Sequence, residues 1–127
     1  MGPAPETVNA IIEKATLVME RGFILSSWVF LNYGNSGQGF GGFTLGGSHG
    51  LAGRHDQQAN FAAAWIVGVM CAADVDDWSM LPGRAVRVRR NRTGSSGDII
   101  GIGHITVDDR WFMPREVFQA LEAGRAA

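Results

Sequence analysis

Between Arg84 and Arg90 the chain alternates strictly, with Val86 and Val88 facing one way and Arg87 and Arg89 the other. That two-residue period is the mark of a half-buried strand. GFILSSWVFLNYG (22–34) is rich in aromatic and β-branched residues and bounded by glycines, which predicts another strand. The segment before it, TVNAIIEKATLVMER (7–21), fits two periods. Val8, Ile11, Ala15 and Met19 form a helical stripe stopped by Gly22. Ile11, Ala15, Leu17 and Met19 also share one strand parity, interrupted at Glu13. The strand reading is preferred, and it makes Glu20-Arg21-Gly22 a hairpin turn.

QANFAAAWIVGVMCAAD (58–74) is the clearest helix, because Phe61, Ala64/Trp65, Gly68/Val69 and Ala72 recur at three- and four-residue steps. Its polar positions are so few that burial over most of its circumference is expected. Trp78 to Gly83 reads as a turn closed by Pro82-Gly83. After a TGSSG turn (93–97), DIIGIGHITV (98–107) predicts a strand in which Gly101 and Gly103 leave room on one face. Asp108-Asp109-Arg110 turns the chain into Trp111-Phe112-Met113. Pro114 suits the first turn of a short terminal helix ending at Gly124. FGGFTL (40–45) supplies a further short strand. The element order and hairpin-length links predict an α+β fold: an antiparallel β-sheet of about five strands, one central helix packed across one face, and a short C-terminal helix. Residues 1–127 make one domain, with 1–6 as a loose tail.

Composition narrows the function classes. Apolar residues make up 46% of the 127 and charged residues 18%, enough to build a core. A formal net charge of −1 supplies no global field toward nucleic acid or an anionic membrane. The single cysteine, Cys71, excludes an internal disulfide and, set among apolar residues, is expected to be a buried thiol in a reducing compartment. The start lacks the basic and apolar regions of a signal peptide, and no apolar run approaches the ~20 residues of a membrane helix. A soluble cytoplasmic protein is expected.

YGNSGQGFGG (33–42) contains the G-x-G-x-x-G spacing of dinucleotide-binding loops at Gly37, Gly39 and Gly42. In those folds the glycines lead from a strand into a helix whose N-terminus receives the pyrophosphate. Here Phe43-Thr44-Leu45 follows, and no helix is predicted before about residue 58, so the dinucleotide reading fails. Structural use of the glycines comes first, with Phe40 and Phe43 anchoring the segment, and ligand contact through exposed N–H groups second. His49 and His55 share a loop, but no set of three or four metal ligands at recognisable spacing accompanies them, and neither is paired in sequence with a nucleophile. His104 reads as a partly buried strand residue. The acidic trio Asp74, Asp76 and Asp77 lacks the central glycine and closing glutamate of a calcium loop and reads as a solvated turn.

Five of the eleven basic residues crowd into RAVRVRRNR (84–92). They read either as a solvated strand face that discourages edge pairing, or as a strip that contacts phosphate or carboxylate groups. Contact candidates are therefore Tyr33, Asn35, Gln38 and Phe40 in the glycine segment, His49, Arg54 and His55 in the next loop, and Arg87, Arg89 and Arg90 in the strip. No catalytic set, metal or cofactor is expected. The set Trp28, Tyr33, Phe40, Phe43, Trp111 and Phe112 reads most simply as core; a single central helix leaves one sheet face uncovered, several of these aromatics would line it, and dimerisation commonly closes such a face.

The segments WVFLNYGNSGQGFGGFTL (28–45), LPGRAVRV (81–88) and IGIGHITVDDRWFMP (100–114) together resemble a group of small proteins of temperate bacteriophages and prophages. In that group a YGxxGQGFGG segment precedes a helix and a GHI…WF segment closes the domain. The resemblance spans about residues 8–116 and brings no activity or catalytic residues with it. It implies a provenance: small phage accessory proteins often neutralise host systems, by binding a defence protein as anti-CRISPR proteins do, or by sequestering a nucleotide signal. The expected function is a non-enzymatic, phage-encoded inhibitor of bacterial antiviral defence acting in the host cytoplasm. Its partner would be a host defence protein or a phosphorylated small-molecule signal, with duplex nucleic acid and membrane not expected and a homodimer expected. The competing readings are a small nucleotide- or nucleic-acid-processing enzyme using His49, His55 or His104 with the Asp cluster, and a self-associating structural or regulatory phage protein.

Overall fold

Every strand of the main sheet runs antiparallel to its neighbours, which is what short hairpin links allow. The computed structural model describes residues 5–46, 56–91 and 98–126. Its elements are β1 (Glu6–Ala15), β2 (Val18–Glu20), β3 (Ile24–Ser26), β4 (Trp28–Asn32), β5 (Gly37–Gly41), α1 (Asp56–Ala73), a 3₁₀ turn (Trp78–Met80), β6 (Ala85–Arg90), β7 (Ile99–His104), β8 (Trp111–Phe112) and α2 (Pro114–Ala126). Six strands form one sheet in the order β5-β4-β1-β6-β7-β8, and β2 pairs with β3 in a small second sheet. The α+β class, the central helix and the short terminal helix are as the pattern predicts. The sixth strand is β8, two residues long and too short to register as a period.

Residues 7–21 are strand, not helix, and the hairpin turn falls where expected. Arg21 and Gly22 both adopt positive φ (54° and 80°), and the Phe23 N–H donates to the Glu20 carbonyl at 3.1 Å. That pattern suits the twist of the flanking strands. Up to Ile12 the inward parity is the opposite of the expected one, whereas Ala15, beyond it, packs on the core as expected. Ala10 and Ile12 are buried with Val8 beside them, while Ile11 is 45% exposed. A β-bulge between Ile12 and Lys14 is the reason. It inserts an extra residue, so Glu13 and Lys14 both lie outside and the phase changes along the strand.

The core lies between the sheet and α1, which crosses β6, β7 and β8 and packs on α2. Val29, Leu31, Val86, Val88 and Ile102 project from the sheet into it. Fully buried Trp65 of α1 is surrounded by the rings of Phe40, Phe43 and Phe112, with centroids at 5.1, 5.7 and 5.6 Å. Burial of α1 is less complete than its composition suggests, since Val67 is 59% exposed and Cys71 is exposed, contrary to the expected buried thiol. Ala63, Val67 and Cys71, at four-residue steps, share the outer side.

Asp74 ends α1 in the left-handed conformation (φ 59°). Its N–H donates to the Cys71 carbonyl and that of Val75 to the Met70 carbonyl, a Schellman cap. The Arg84 guanidinium closes the same end, donating to the Ala73 and Asp74 carbonyls. Contrary to expectation, α2 continues through Gly124 to Ala126. No helix of the described residues is long and apolar enough to cross a membrane.

Candidate functional site

The glycine segment is a hairpin. β4 and β5 pair from Trp28↔Gly41 to Asn32↔Gly37, joined by a loop at Tyr33–Ser36 in which Gly34 takes φ 110°. No helix follows the glycines through residue 46, so phosphate is not cradled as in a dinucleotide fold. The glycines instead seat an aromatic ring. A Cβ on Gly39 would lie 3.0 Å from the Trp28 ring, and one on Gly42 only 2.4 Å from it. Trp28 therefore lies flat on the backbone beside its own strand.

The register assigns every side chain to a face. α1 and α2 cover the side carrying Ala10, Ile12, Val86, Val88 and Ile102. On the opposite side, the described residues include no helix. That side carries Trp28, Phe30 and Asn32 from β4, Thr7, Asn9, Ile11, Glu13 and Lys14 from β1, Ala85, Arg87 and Arg89 from β6, and Trp111 from β8. Ile11 and Trp28 are 45% and 37% exposed. A shallow depression of about 540 Å³ opens on this face, lined among others by Asn9, Ile11, Asn32, Ala85 and Ile105. The room left by Gly103 is filled by Trp111, whose ring lies 2.6 Å from where a Gly103 Cβ would stand. Gly101 likewise admits Met113 and the Phe112 carbonyl.

The structure separates the arginines of the strip. Arg87 is committed to the fold: Nε donates to the His104 carbonyl at 2.6 Å, Nη2 to the Val107 carbonyl at 2.8 Å, and the guanidinium stacks on Trp111. Arg90 follows a second irregularity, between Arg89 and Arg90, and lies among Glu6 (3.0 Å), Gln38 (3.4 Å) and the Tyr33 ring (4.8 Å). Arg89 stacks over Trp111 at 4.1 Å and has no hydrogen-bond or ion-pair partner among the described residues. Among the described members of the strip, it is the one whose donors are not taken by another described residue.

The remaining sequence candidates fall into three groups. Tyr33 and Gln38 join Arg90 in one cluster, where the Tyr33 hydroxyl donates to Gln38 Oε1 at 2.6 Å. Burial raises the Tyr33 pKa above its ordinary value of 10, and the nearby Arg90 charge opposes that rise. Asn35 is exposed in the β4–β5 loop. Phe40 is in the core against Trp65, the anchoring role read from the sequence. His49, Arg54, His55, Arg92 and the TGSSG segment lie outside the described residues. Among the open-face residues, Ile11 and Asn9 are not legible as contacts because the bulge in β1 hides its parity, and Phe30 is not because apolar Val29 and Leu31 flank it and leave β4 without alternation.

His104 is 8% exposed and fully engaged. Nδ1 accepts the N–H groups of Thr106 (3.1 Å) and Val107 (3.0 Å), which places the proton of the neutral ring on Nε2, 3.4 Å from Asp74 Oδ2. No ring lone pair remains to accept a proton from a substrate. Arg110 approaches the same carboxylate at 3.5 Å, so Asp74 ties the end of α1 to β7 and the turn after it. Asp77 accepts from the N–H and hydroxyl of Ser79 at 2.8 and 2.6 Å, which lowers its pKa and caps the 3₁₀ turn. Among the described residues no group of three or more His, Cys, Asp or Glu could hold a metal.

The geometry thus defines a class: an antiparallel α+β sheet with helices on one face and an aromatic, partly basic surface on the other. Comparison with protein-family models, curated proteins and solved structures gives no match.

Proposed function

We propose that this chain acts by binding, with no bond-making step of its own, and that the helix-free face of the sheet is the surface it binds with. The observation that carries this reading is the face itself, where Trp28, Phe30, Ile11 and Trp111 share one surface with the Arg89 guanidinium, which has no hydrogen-bond or ion-pair partner among the described residues. Exposed apolar surface rimmed by polar groups marks interaction sites, and Trp and Arg are the types that dominate binding energy at interfaces. Joined to the phage resemblance, this makes the protein a phage-encoded inhibitor that occupies a host antiviral-defence protein in the host cytoplasm. A second reading, sequestration of a phosphorylated signal, is favoured by Arg89, whose planar fork suits a phosphate.

The test is phage plating on hosts that carry an antiviral system the wild-type protein blocks. Ile11→Glu should fold with unchanged melting temperature and Arg89→Glu with only the small fall set by its lost stacking on Trp111, and both should lose at least tenfold in plating efficiency. Val67→Glu, on the outer side of α1, should protect as wild type does. Full protection by both open-face variants would refute the proposal. Mass spectrometry of an acid extract of the purified protein separates the two readings. A stoichiometric phosphorylated compound that disappears in Arg89→Glu supports sequestration.

A further inference from the structure

β5 ends the sheet, and among the described residues no strand pairs with its outer edge. The Gly42 N–H donates to the Ser27 carbonyl and the Tyr33 N–H to the Ser36 carbonyl. These bonds set the alternation of the ladder, so Val29↔Phe40 and Leu31↔Gln38 are its hydrogen-bonded pairs. Gly37, Gly39 and Gly41 occupy the intervening pairs, and their N–H and C=O groups point away from β4. Natural edge strands are usually blunted by charge, proline, a bulge or a cover. The described part of β5 has no proline, charge or register shift, and its outward-bonding residues carry no side chain. Beside this edge, on the open face, is a pocket of about 220 Å³ lined by Gly37, Gly39, Phe30, Leu31, Gln38 and Glu13.

We propose that the β5 edge receives an extended segment of a partner protein as an added antiparallel or parallel strand, and that an arginine or lysine of that segment fills the pocket. The glycines supply the main-chain pairing, as strand addition requires. The Trp28 ring already covers Gly39, but Gly37 has no side chain over it, and a long stem can lie there beside the Phe30 ring. Phe30 already accepts one cation in this manner, since Lys14 Nζ sits 4.9 Å from its ring centroid. Glu13 donates no hydrogen bonds and offers its carboxylate; Oε1 accepts from Asn32 Nδ2 at 2.7 Å, so the side chain leans toward β4 and the pocket. From an added strand to β1 is three strand spacings, about 14 Å at ~4.8 Å each. A long basic side chain meeting an inward-leaning glutamate covers that distance, and a short one does not. This inference stands on the edge and pocket, independently of the wider open-face reading.

The experiment uses the full chain, labelled for amide exchange by solution NMR, and two blocked hexapeptides of alternating threonine and valine. One carries arginine at its centre and the other glutamate. The arginine peptide should slow exchange at the Gly37, Gly39 and Gly41 amides and bind at least fivefold tighter than its twin. Glu13→Arg, at an exposed position, should reverse that order. Absence of binding, equal binding of the two peptides, or protection at other amides would overturn the proposal. So would protection of the three glycines without peptide that grows with protein concentration, because a second copy would then be the occupant.

Discussion

Gly68 faces Phe112 across the α1–β8 contact, and replacing it with alanine sets two known effects against each other. A Cβ at this position would lie 2.4, 2.5 and 2.6 Å from Cδ1, Cε1 and Cγ of the Phe112 ring. Carbon atoms in contact sit at about 3.5–4.0 Å, so α1 and the ring must separate by roughly 1 Å. The ring has little space to retreat, being 5% exposed and set edge-on to Trp65, itself confined by Phe40 and Phe43. Overpacking of this kind costs about 1–3 kcal/mol. Alanine returns roughly 1 kcal/mol through its helix propensity over glycine. The expected net loss is about 0–2 kcal/mol, a fall of at most roughly 8 °C in Tm for a chain of this size. Urea unfolding of Gly68→Ala, Phe112→Ala and the double variant isolates the cause. Phe112→Ala alone should cost about 3–5 kcal/mol. In that background Gly68→Ala should become stabilising by about 1 kcal/mol, because the ring is gone and only the helical preference remains. The same sign and size of effect in both backgrounds would refute the steric argument.

Two further expectations probe single residues. Tyr33 is the only tyrosine, so absorbance in the tyrosinate band reports it alone. Its midpoint should lie above 10, and Arg90→Ala should move it higher by removing the opposing charge. With the folded pKa above the unfolded one, the phenol's contribution to stability is complete below pH ~10 and is lost as pH rises beyond it; a midpoint at or below that of free tyrosine would contradict the burial. Cys71 should react stoichiometrically with a small aromatic disulfide reagent in the folded protein, since it is exposed. Reaction only at the rate of unfolding would mean that the outer side of α1 is covered.

The pattern of polar and apolar positions carries most of the architecture where one period is long enough to be unambiguous. β6 is the plain case, with Val86 and Val88 buried and Arg87 and Arg89 opposite them. β1 is the instructive failure. Its strand character was legible, but the bulge at Ile12/Lys14 makes the inward set Ala10 and Ile12, and no local signal announces a bulge. Cys71 was misplaced because α1 is apolar nearly all round, so its sequence contains no stripe to show which side Val67 and Cys71 share. The arginine strip was visible as a cluster, yet its members differ by contacts across 17 to 52 residues of chain, from Arg87 to His104 and from Arg90 to Gln38. Such distinctions belong to the folded register and to no local pattern.

The glycines connect the scaffold to the proposed binding surface. Trp28 rests on Gly39 and Gly42 at one side of the sheet, and Trp111 rests on Gly103 toward the other. Each large ring is held against backbone, so it is ordered while part of it remains in contact with solvent. Trp111 is fixed further by its Nε1–H bond to the Asp108 carbonyl at 3.0 Å and by the stacked Arg87 and Arg89. Binding through such rings loses little side-chain freedom, because their orientation is set before any partner arrives. Surface tryptophans without glycine seats would have to be ordered in the complex at an entropic cost. The spacing that imitates a nucleotide loop is, on this argument, the means by which an open sheet presents rigid aromatic surface.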